Sequence, residues 1–586
     1  MRNNMKPCQH ASNDTVYKEV VIIGNGPSGM VASFMLAGNV PYLRDIPEDL
    51  QIDEMLRARL SNLPEGQSLY ETDLLELAEG LEGRSQNPIP LLMDNLLRPC
   101  ADIGVNADGL IEWKYDVEKQ IDHIVLGRGP PGGAWQSFPA RVRTLSPAAW
   151  LCLPPHRAAL TDRLPARAVA DYCTRYVRAC NLTRYFRSDV VVTSVRPWPR
   201  TGQPCSSVCP LAANFCVSGY DAGSGRGFRY LCARVITASG AGRAATLQPH
   251  VARYALHALA PLQRALQPAV DNNQPPVLIV GSGVSAADAV WLTLRANRHA
   301  LHLHRTPAEA LARLSPQTYP DYCQVYKMMC DRTSGDYVNY TSYPEHVIVD
   351  VTPETTDSPE TTDTEYDTRL KRVKLLNIVT NEVQEVTVSI ITVLIGSKPD
   401  LFFLQTNFSF DCIDIDCVKC RRRDEKRKID NRRRSFLKEH WHYLKSILGQ
   451  SIQICKSRFN YSEINGNTDT KCMMPDCNKI ETCACNTELD NECDYEGYKN
   501  SLEAKFSCQC NSNPYSNGIG FGIDPEKPVD GRTNPVAIDK STHELLYAPK
   551  GIYALGPLTG DNFVRFIPGG ALAIVTHIHK MKTETE

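Results

Sequence analysis

Lys18–Leu36 reads KEVVIIGNGPSGMVASFML, and the order of residues in it decides the fold. Val20-Val21-Ile22-Ile23 is a short, unbroken apolar run with β-branched side chains, the pattern of a strand covered on both faces. Gly24-Asn25-Gly26-Pro27-Ser28-Gly29 follows directly, and a helix of small and apolar residues runs from Met30 to Ala37. In a corner of this kind Gly24 makes the tight turn and Gly26 lets the backbone approach a pyrophosphate. Gly29 then lets helix and strand touch. The helix start adds unpaired N–H groups and partial positive charge. The plain alternative is an ordinary strand–helix turn. The strand–turn–helix context favours a dinucleotide site contacted by Gly24, Gly26, Pro27, Ser28 and Gly29.

A second corner lies at Pro276–Val290, PVLIVGSGVSAADAV. Val277–Val280 reads as the buried strand and Gly281, Gly283, Ser285 and Ala286 as the turn, with Ala in the third glycine position. Asp288 falls in the first turn of the next helix, where a carboxylate suits the helix dipole. The following strand, Ala300–His304, ends at Arg305. An acid at that place would bind a free ribose 2′-hydroxyl, whereas an arginine suits a 2′-phosphate. This points to NADPH rather than NADH; the bland reading of Arg305 is a solvated loop cation. His302 and His304 read as ordinary strand residues.

The 586 residues exceed a single core, so two or three domains are expected. Composition is that of a soluble globular chain, 42% hydrophobic and 22% charged, and the net charge of −2 gives no pull toward nucleic acid or anionic membranes. The polar start MRNNMKPCQHASND lacks the apolar core of a signal peptide, and no apolar run approaches a membrane span. A cytoplasmic location is therefore expected, with mostly reduced cysteines.

The domain reading is as follows. Residues 1–16 are a disordered tail and 17–262 the first part of an FAD-binding domain, interrupted at 41–120 by a helical insertion. Within that insertion Ile52–Leu60, Leu69–Leu77 and Leu91–Leu97 carry helical patterns. Residues 263–401 form the NADPH-binding domain, with a flexible loop at 350–367, where DVTPETTDSPETTDTEYD is nearly free of apolar residues. Residues 402–515 are a disordered Cys-rich and basic insertion, and 516–586 complete the FAD-binding domain. Half of the 22 cysteines fall in that insertion, beside nine Lys/Arg against three acids between Arg421 and Arg434. Cys417 and Cys420 form one CxxC, but no second pair follows at metal-ligand spacing, so reduced thiols are favoured over zinc. A nuclear location is the alternative that the basic run raises.

At the C-terminus, Gly551–Gly556 reads as a strand followed by Pro557–Phe563, with Gly560-Asp561, and then by a helix opening at Pro568-Gly569-Gly570. An acid after a glycine at a strand end, before a helix N-terminus, is how two-nucleotide flavoproteins hold the ribityl chain. The plain reading of Asp561 is a helix cap.

With these motifs, Gly132-Gly133-Ala134-Trp135 and the Ala238-Ser239-Gly240 turn, the chain resembles the flavin-containing monooxygenase superfamily. More narrowly it resembles the oxidative-stress-induced growth inhibitor family. The closer match rests on Gly80–Ser85, Leu126–Trp135, Tyr319–Tyr322, Tyr326–Cys330, Tyr340–His346 and Ala554–Phe566. The resemblance implies an α/β fold of two Rossmann-like dinucleotide-binding domains, the second inserted in the first, holding FAD and NADPH. It implies an NADPH-dependent flavin monooxygenase linked to stress response, growth restraint, differentiation and cell death. FAD would contact the Gly24 corner, Gly133, Trp135, Gly560 and Asp561; NADPH would contact the Gly281 corner and Arg305. Asn562 and Arg565 are the candidates for groups near the flavin ring, and the substrates would be O2 and a small organic molecule.

Two departures stand against full activity. The slot for a ribose-binding acid at the end of the second strand is Gly127, which removes a contact of about 1.5–3 kcal/mol. The superfamily's His-containing signature survives only at His257. A catalytically weak or inactive flavoprotein-fold regulator acting through protein partners is therefore the alternative. A thiol–disulfide flavin reductase lacks a CxxC or CxxxxC beside either corner.

Overall fold

The computed structural model describes residues 15–105, 107–156, 162–198, 213–266, 274–305, 309–332, 336–354, 369–404 and 518–584. Thr15–Ile23 is a strand whose side chains divide between two cores. Val20 and Ile22 enter one and Val21 and Ile23 the other. Burial on both faces is why four consecutive apolar residues mark it. It lies in a seven-stranded sheet between His123–Leu126 and Gly227–Thr237, parallel to both.

The long strand Gly227–Thr237 has two partners. Gly227–Cys232 pairs antiparallel with Phe215–Asp221, and Val235–Thr237 pairs in parallel with Ile552–Ala554 from the far end of the chain. Phe186–Arg187 and Val190–Pro197 complete the sheet. The helix Pro27–Leu36 starts earlier than the apolar pattern alone suggests, because Pro27 fits the first helical turn, where its missing N–H is no loss. The final helix, Ile567–Thr583, joins it and Pro88–Leu97 over one face of the sheet, with Met30, Phe34, Leu92, Leu572 and Ile574 in the shared core.

Asn39–Leu43 and Ile111–Tyr115 pair antiparallel, so the intervening segment leaves and returns at one place. Its helices are Glu54–Ser61, Leu74–Ala78 and Pro88–Leu97, the first two capped by Asp53 and Asp73 accepting backbone N–H bonds.

A second sheet of five parallel strands runs Ala255–Leu256, Ile390–Val393, Val277–Val280, Ala300–His304, Tyr340–Pro344. The helices Val284–Arg295 and Pro320–Asp331 pack on it. Where the chain passes from the first sheet to the second and back, Arg243–Ala244 pairs with Ser397–Lys398. The fold is thus two Rossmann-like units with the second inserted in the first.

Three boundaries differ from the sequence reading. The first strand begins at Thr15, inside the expected tail. His346–Pro353 is a strand that enters the expected 350–367 loop, held by pairing with Lys371–Asn377 and by burial of Val351. Phe403 and Leu404 are core residues rather than the start of an insertion. The rest of the 402–515 segment, including Cys417, Cys420 and the basic run, lies outside the described residues, as do residues 355–367. The last segment is described from Gly518.

Candidate functional site

The two corners are built alike. Gly24 and Gly281 both have positive φ, +116° and +141°, and a Cβ on either would collide with a carbonyl, that of Ala238 or Leu394. Only glycine fits there. In each corner one backbone position stays open. A Cβ on Gly26 would meet only the Gly133 Cα, at 3.8 Å, and a Cβ on Gly283 would meet nothing. Each is followed by a helix, Pro27–Leu36 or Val284–Arg295. Bare backbone leading into a helix start is the chemistry an anionic pyrophosphate requires.

The ribose ends differ. In the first corner the side chain of Asn25, itself buried, fills the space beside Gly127. Its Nδ2 donates to Gly129 O at 2.5 Å, and the Asn25 backbone carbonyl accepts from Gly132 N at 2.9 Å. The Gly127–Gly132 loop is thereby fastened to the corner. In the second corner, Gly281 N donates to Leu303 O at 3.0 Å, which places the end of strand Ala300–His304 beside the turn. Arg305, the next residue, is exposed and makes no ion pair among the described residues. Ser285 is exposed in the first helical turn, and Ala286 is buried.

His302 and His304 are buried strand residues, as expected. His302 donates from Nε2 to Gly281 O at 2.7 Å and accepts at Nδ1 from the Tyr340 hydroxyl at 3.0 Å. Burial holds it neutral, pushed down to about 4. Asp288 departs from the dipole role. It is the fifth residue of its helix and accepts from the Tyr322 hydroxyl at 3.0 Å on the neighbouring helix, and burial pushes its carboxyl up to about 7.

The C-terminal turn closes on the first corner through Gly556, whose φ of +73° and missing Cβ admit the Ser28 side chain. Asp561 is buried and is not a helix cap. It accepts from Ser85 Oγ at 2.5 Å and Asn87 Nδ2 at 2.8 Å. Burial raises its carboxyl to about 6 despite those bonds. Asn87 also accepts from Lys540 Nζ at 2.5 Å. Ser85, Asn87 and Lys540 are site residues that the motifs do not reveal; the only signal was Gly80–Ser85 among the segments carrying the family resemblance. Ile567–Ala571 are buried, and Gly569 backs onto Pro90, so the start of the final helix is covered by the insertion helix.

The structure separates the two candidates for groups near the flavin. Asn562 is exposed and donates to Gly531 O at 2.7 Å and Gly560 O at 3.0 Å. Arg565 is buried, and its guanidinium is engaged. Nε donates to Asp94 at 2.8 Å, Nη1 to Asp102 at 2.9 Å, Nη2 to both acids, and its plane lies 4.4 Å above the Trp150 ring. Trp135 is half-buried, edge-on to Phe138. His257 is half-buried, with Nε2 near Ala252 O and Nδ1 without a partner. No group of His, Cys, Asp and Glu suited to a metal occurs among the described residues, and no described helix is long and apolar enough to cross a membrane.

Two dinucleotide-type corners on separate sheets define a chain of the class with two Rossmann-like nucleotide-binding units. The particular kinship is narrower. The chain is 29% identical to "Oxidative stress-induced growth inhibitor 1" of Mus musculus over 588 residues, covering 96% of this chain and 95% of that protein. It is 28% identical to "Oxidative stress-induced growth inhibitor 2" of Homo sapiens over 595 residues, covering 95% and 92%. These matches bear out the resemblance to that family carried by the motifs. No family model matches. Among solved structures, the bacillithiol disulfide reductase Bdr (YpdA) from Bacillus cereus aligns with a TM-score of 0.46 at 11% identity, covering 96% of this chain and 99% of that one. A flavin-containing monooxygenase from Stenotrophomonas maltophilia aligns with a TM-score of 0.34 at 15% identity, covering 68% and 83%.

Proposed function

We propose that this chain is an FAD- and NADPH-dependent oxidoreductase of the flavin monooxygenase type, using O2 and a small organic substrate, and acting in oxidative-stress response and control of growth, differentiation or cell death. The observation that carries the reading is the pair of open backbone positions, Gly26 and Gly283, each leading into a helix start. FAD would be held by Gly24, Gly26, Pro27, Ser28, Gly29, Gly133, Trp135, Gly560 and Asp561. NADPH would be held by Gly281, Gly283, Ser285, Ala286 and Arg305. When bound, the flavin would supply hydride acceptance and the activation of oxygen.

The chain's own residues orient and shield. Asp561, with Ser85 and Asn87, forms a polar contact point for the ribityl hydroxyls. Arg565, locked to Asp94 and Asp102, acts by fixing the turn before the final helix, and Asn562 ties Gly560 to Gly531. The covered helix start and the buried Ile567–Ala571 segment keep water away from that side.

A second reading rests on a specific observation: Asn25 fills the ribose end of the first corner, and no acid stands at Gly127. On that reading the protein is a regulator with weak or no flavin binding that works through protein partners. Purified protein separates the two. Visible flavin colour that bleaches on anaerobic addition of NADPH supports the enzyme. A colourless protein that takes up no added FAD rejects it.

A further inference from the structure

A cavity of about 830 Å³ lies away from both corners, within the range of small-molecule sites. None of the residues of Gly24–Gly29 or Gly281–Ala286 lines it. Its walls come from both units of the fold: residues between Leu97 and Val105 and between Gly109 and Trp113 from the insertion, residues between Pro147 and His156 with Arg163 on a second side, and Arg313–Ser315 with Thr318 and Tyr319 on a third.

The charge on those walls is one-sided. Arg44, Arg84, Arg98, Arg163 and Arg313 line the cavity, against a single acid, Glu112. Most of these arginines are partly committed. Arg98 donates to Cys152 O at 2.6 Å and Ala149 O at 3.2 Å and pairs with Asp94. Arg84 approaches Asp102 only at 4.0 Å with both side chains more than half exposed, a pairing of little strength. Arg313 pairs with Glu309 in the open.

Two cations are left wanting. Arg44 is exposed and has no side-chain partner among the described residues. Arg163 is 7% exposed and donates to Thr144 O at 2.8 Å and Asp321 Oδ1 at 3.1 Å, but its buried Nη2 finds no acceptor. That Nη2 is itself closed off from solvent, so Arg163 meets the cavity only through the small exposed part of its side chain, and Arg44 is the cation open to an anion there.

Four rings, Trp113, Trp150, Tyr319 and His156, stand in a lining otherwise made mostly of small and aliphatic residues, with Arg163 over the Tyr319 ring at 4.6 Å. Flat faces beside guanidinium groups suit a planar body carrying a negative group. The cavity also shares a wall with the start of the final helix. Trp150 underlies Arg565, and Arg98 Nη1 reaches Arg565 O at 3.4 Å.

We propose that this cavity binds an aromatic organic anion, a carboxylate or sulfonate on a planar body, and that this is the substrate class of the protein. The substrate assignment rests on the oxidoreductase reading above; the binding site does not.

The test is calorimetric titration of the full chain with naphthoate and with its uncharged counterpart naphthalenemethanol, on flavin-free and FAD-supplemented samples. Naphthoate should bind at one site, at least about tenfold more tightly than the alcohol. Arg44→Glu should weaken naphthoate by roughly tenfold or more, while Arg44→Lys retains most of it; Arg44 is exposed, so neither change threatens folding. Trp113→Leu should weaken both probes. Equal affinity for acid and alcohol, no effect of Arg44→Glu, or no heat at all would overturn the proposal. NADPH bleaching is measured on the same samples. Anion binding without bleaching removes the oxidoreductase reading and leaves the site, whereas bleaching without anion binding removes the site alone.

Discussion

Asn25 and Gly127 face each other across the first corner, and the amide of one occupies the space that a side chain on the other would need. A Cβ on Gly127 would run into the Asn25 side chain, which is held there by its bond to Gly129 O. An acid at position 127 would therefore need room made at position 25 as well. Gly127→Glu alone should fail to improve FAD binding, because the new side chain and Asn25 compete for one volume. Gly127→Glu with Asn25→Gly should tighten FAD by about one to two orders of magnitude, the worth of a charged hydrogen bond. Quenching of flavin fluorescence on titration measures both. Equal behaviour of the single and double variants would remove the pairing.

Arg305 is exposed at the mouth of the second corner and makes no ion pair among the described residues. Arg305→Ala should weaken NADPH by roughly tenfold or more and leave NADH nearly unchanged, since only the former carries the 2′-phosphate. Competition titrations with the two nucleotides decide it. Equal losses would return Arg305 to a solvated loop residue.

Asp288 sits under Tyr322 with its carboxyl pushed up to about 7 by burial. A carboxyl raised in the folded state contributes stability that is complete below its unfolded value, near 4, and is lost as pH rises through the folded one. Asp288→Asn should remove this loss. Relative to the parent, the variant should gain roughly 1 kcal/mol of stability per pH unit between about pH 5 and 7. Thermal midpoints of the two proteins at mildly acidic and mildly basic pH would show the gap widening with pH. A constant gap would mean that Asp288 ionises normally.

Arg565 and Asp94 form a buried ion pair, 3% and 4% exposed. Arg565→Leu or Asp94→Leu should each cost up to about 3–5 kcal/mol, because the surviving partner stays buried and keeps only its second ion pair, Asp102 for Arg565 or Arg98 for Asp94. The double variant Arg565→Leu with Asp94→Leu should cost less than the sum of the two. Urea unfolding of the four proteins forms the cycle. Additive losses would show that the pair is not coupled.

What could be read from the sequence was local. Val20–Ile23 and Val277–Val280 announce themselves because a strand buried on both faces needs no alternation, and the glycines follow in fixed order. Arg305 was legible because parallel register with Val277–Val280 carries the end of the next strand to the corner. Contacts between distant segments were not legible. Asp561 meets Ser85 and Asn87 across more than 470 residues, through an insertion with no periodicity pointing at the site. Arg565 meets Asp94 in the same way, so a residue expected beside the flavin emerges as a clamp. Asp288 read as a dipole partner because helix position is visible in sequence, while the neighbouring helix that buries it is not.

The place where the described chain stops and resumes gives the last prediction. Leu401, Phe403 and Leu404 are buried in the same core as Phe521 and Val529. A Cβ on Gly518 would lie 3.0 Å from Leu401 Cδ1 and 2.9 Å from Val529 Cγ2, so the chain re-enters beside the point of departure. Ends this close can be joined by a short flexible linker at little entropic cost, since loop closure depends only weakly on length. Replacing residues 409–514 with a short Gly/Ser linker should therefore leave the thermal midpoint and any flavin content unchanged. The cut must fall after Leu404, because removing Phe403 and Leu404 would empty part of the core beside Val195, whose N–H donates to Phe403 O at 2.9 Å. A linker variant that precipitates, while the full chain stays in solution, would show that the replaced segment is needed for the folded state and is not a dispensable insertion.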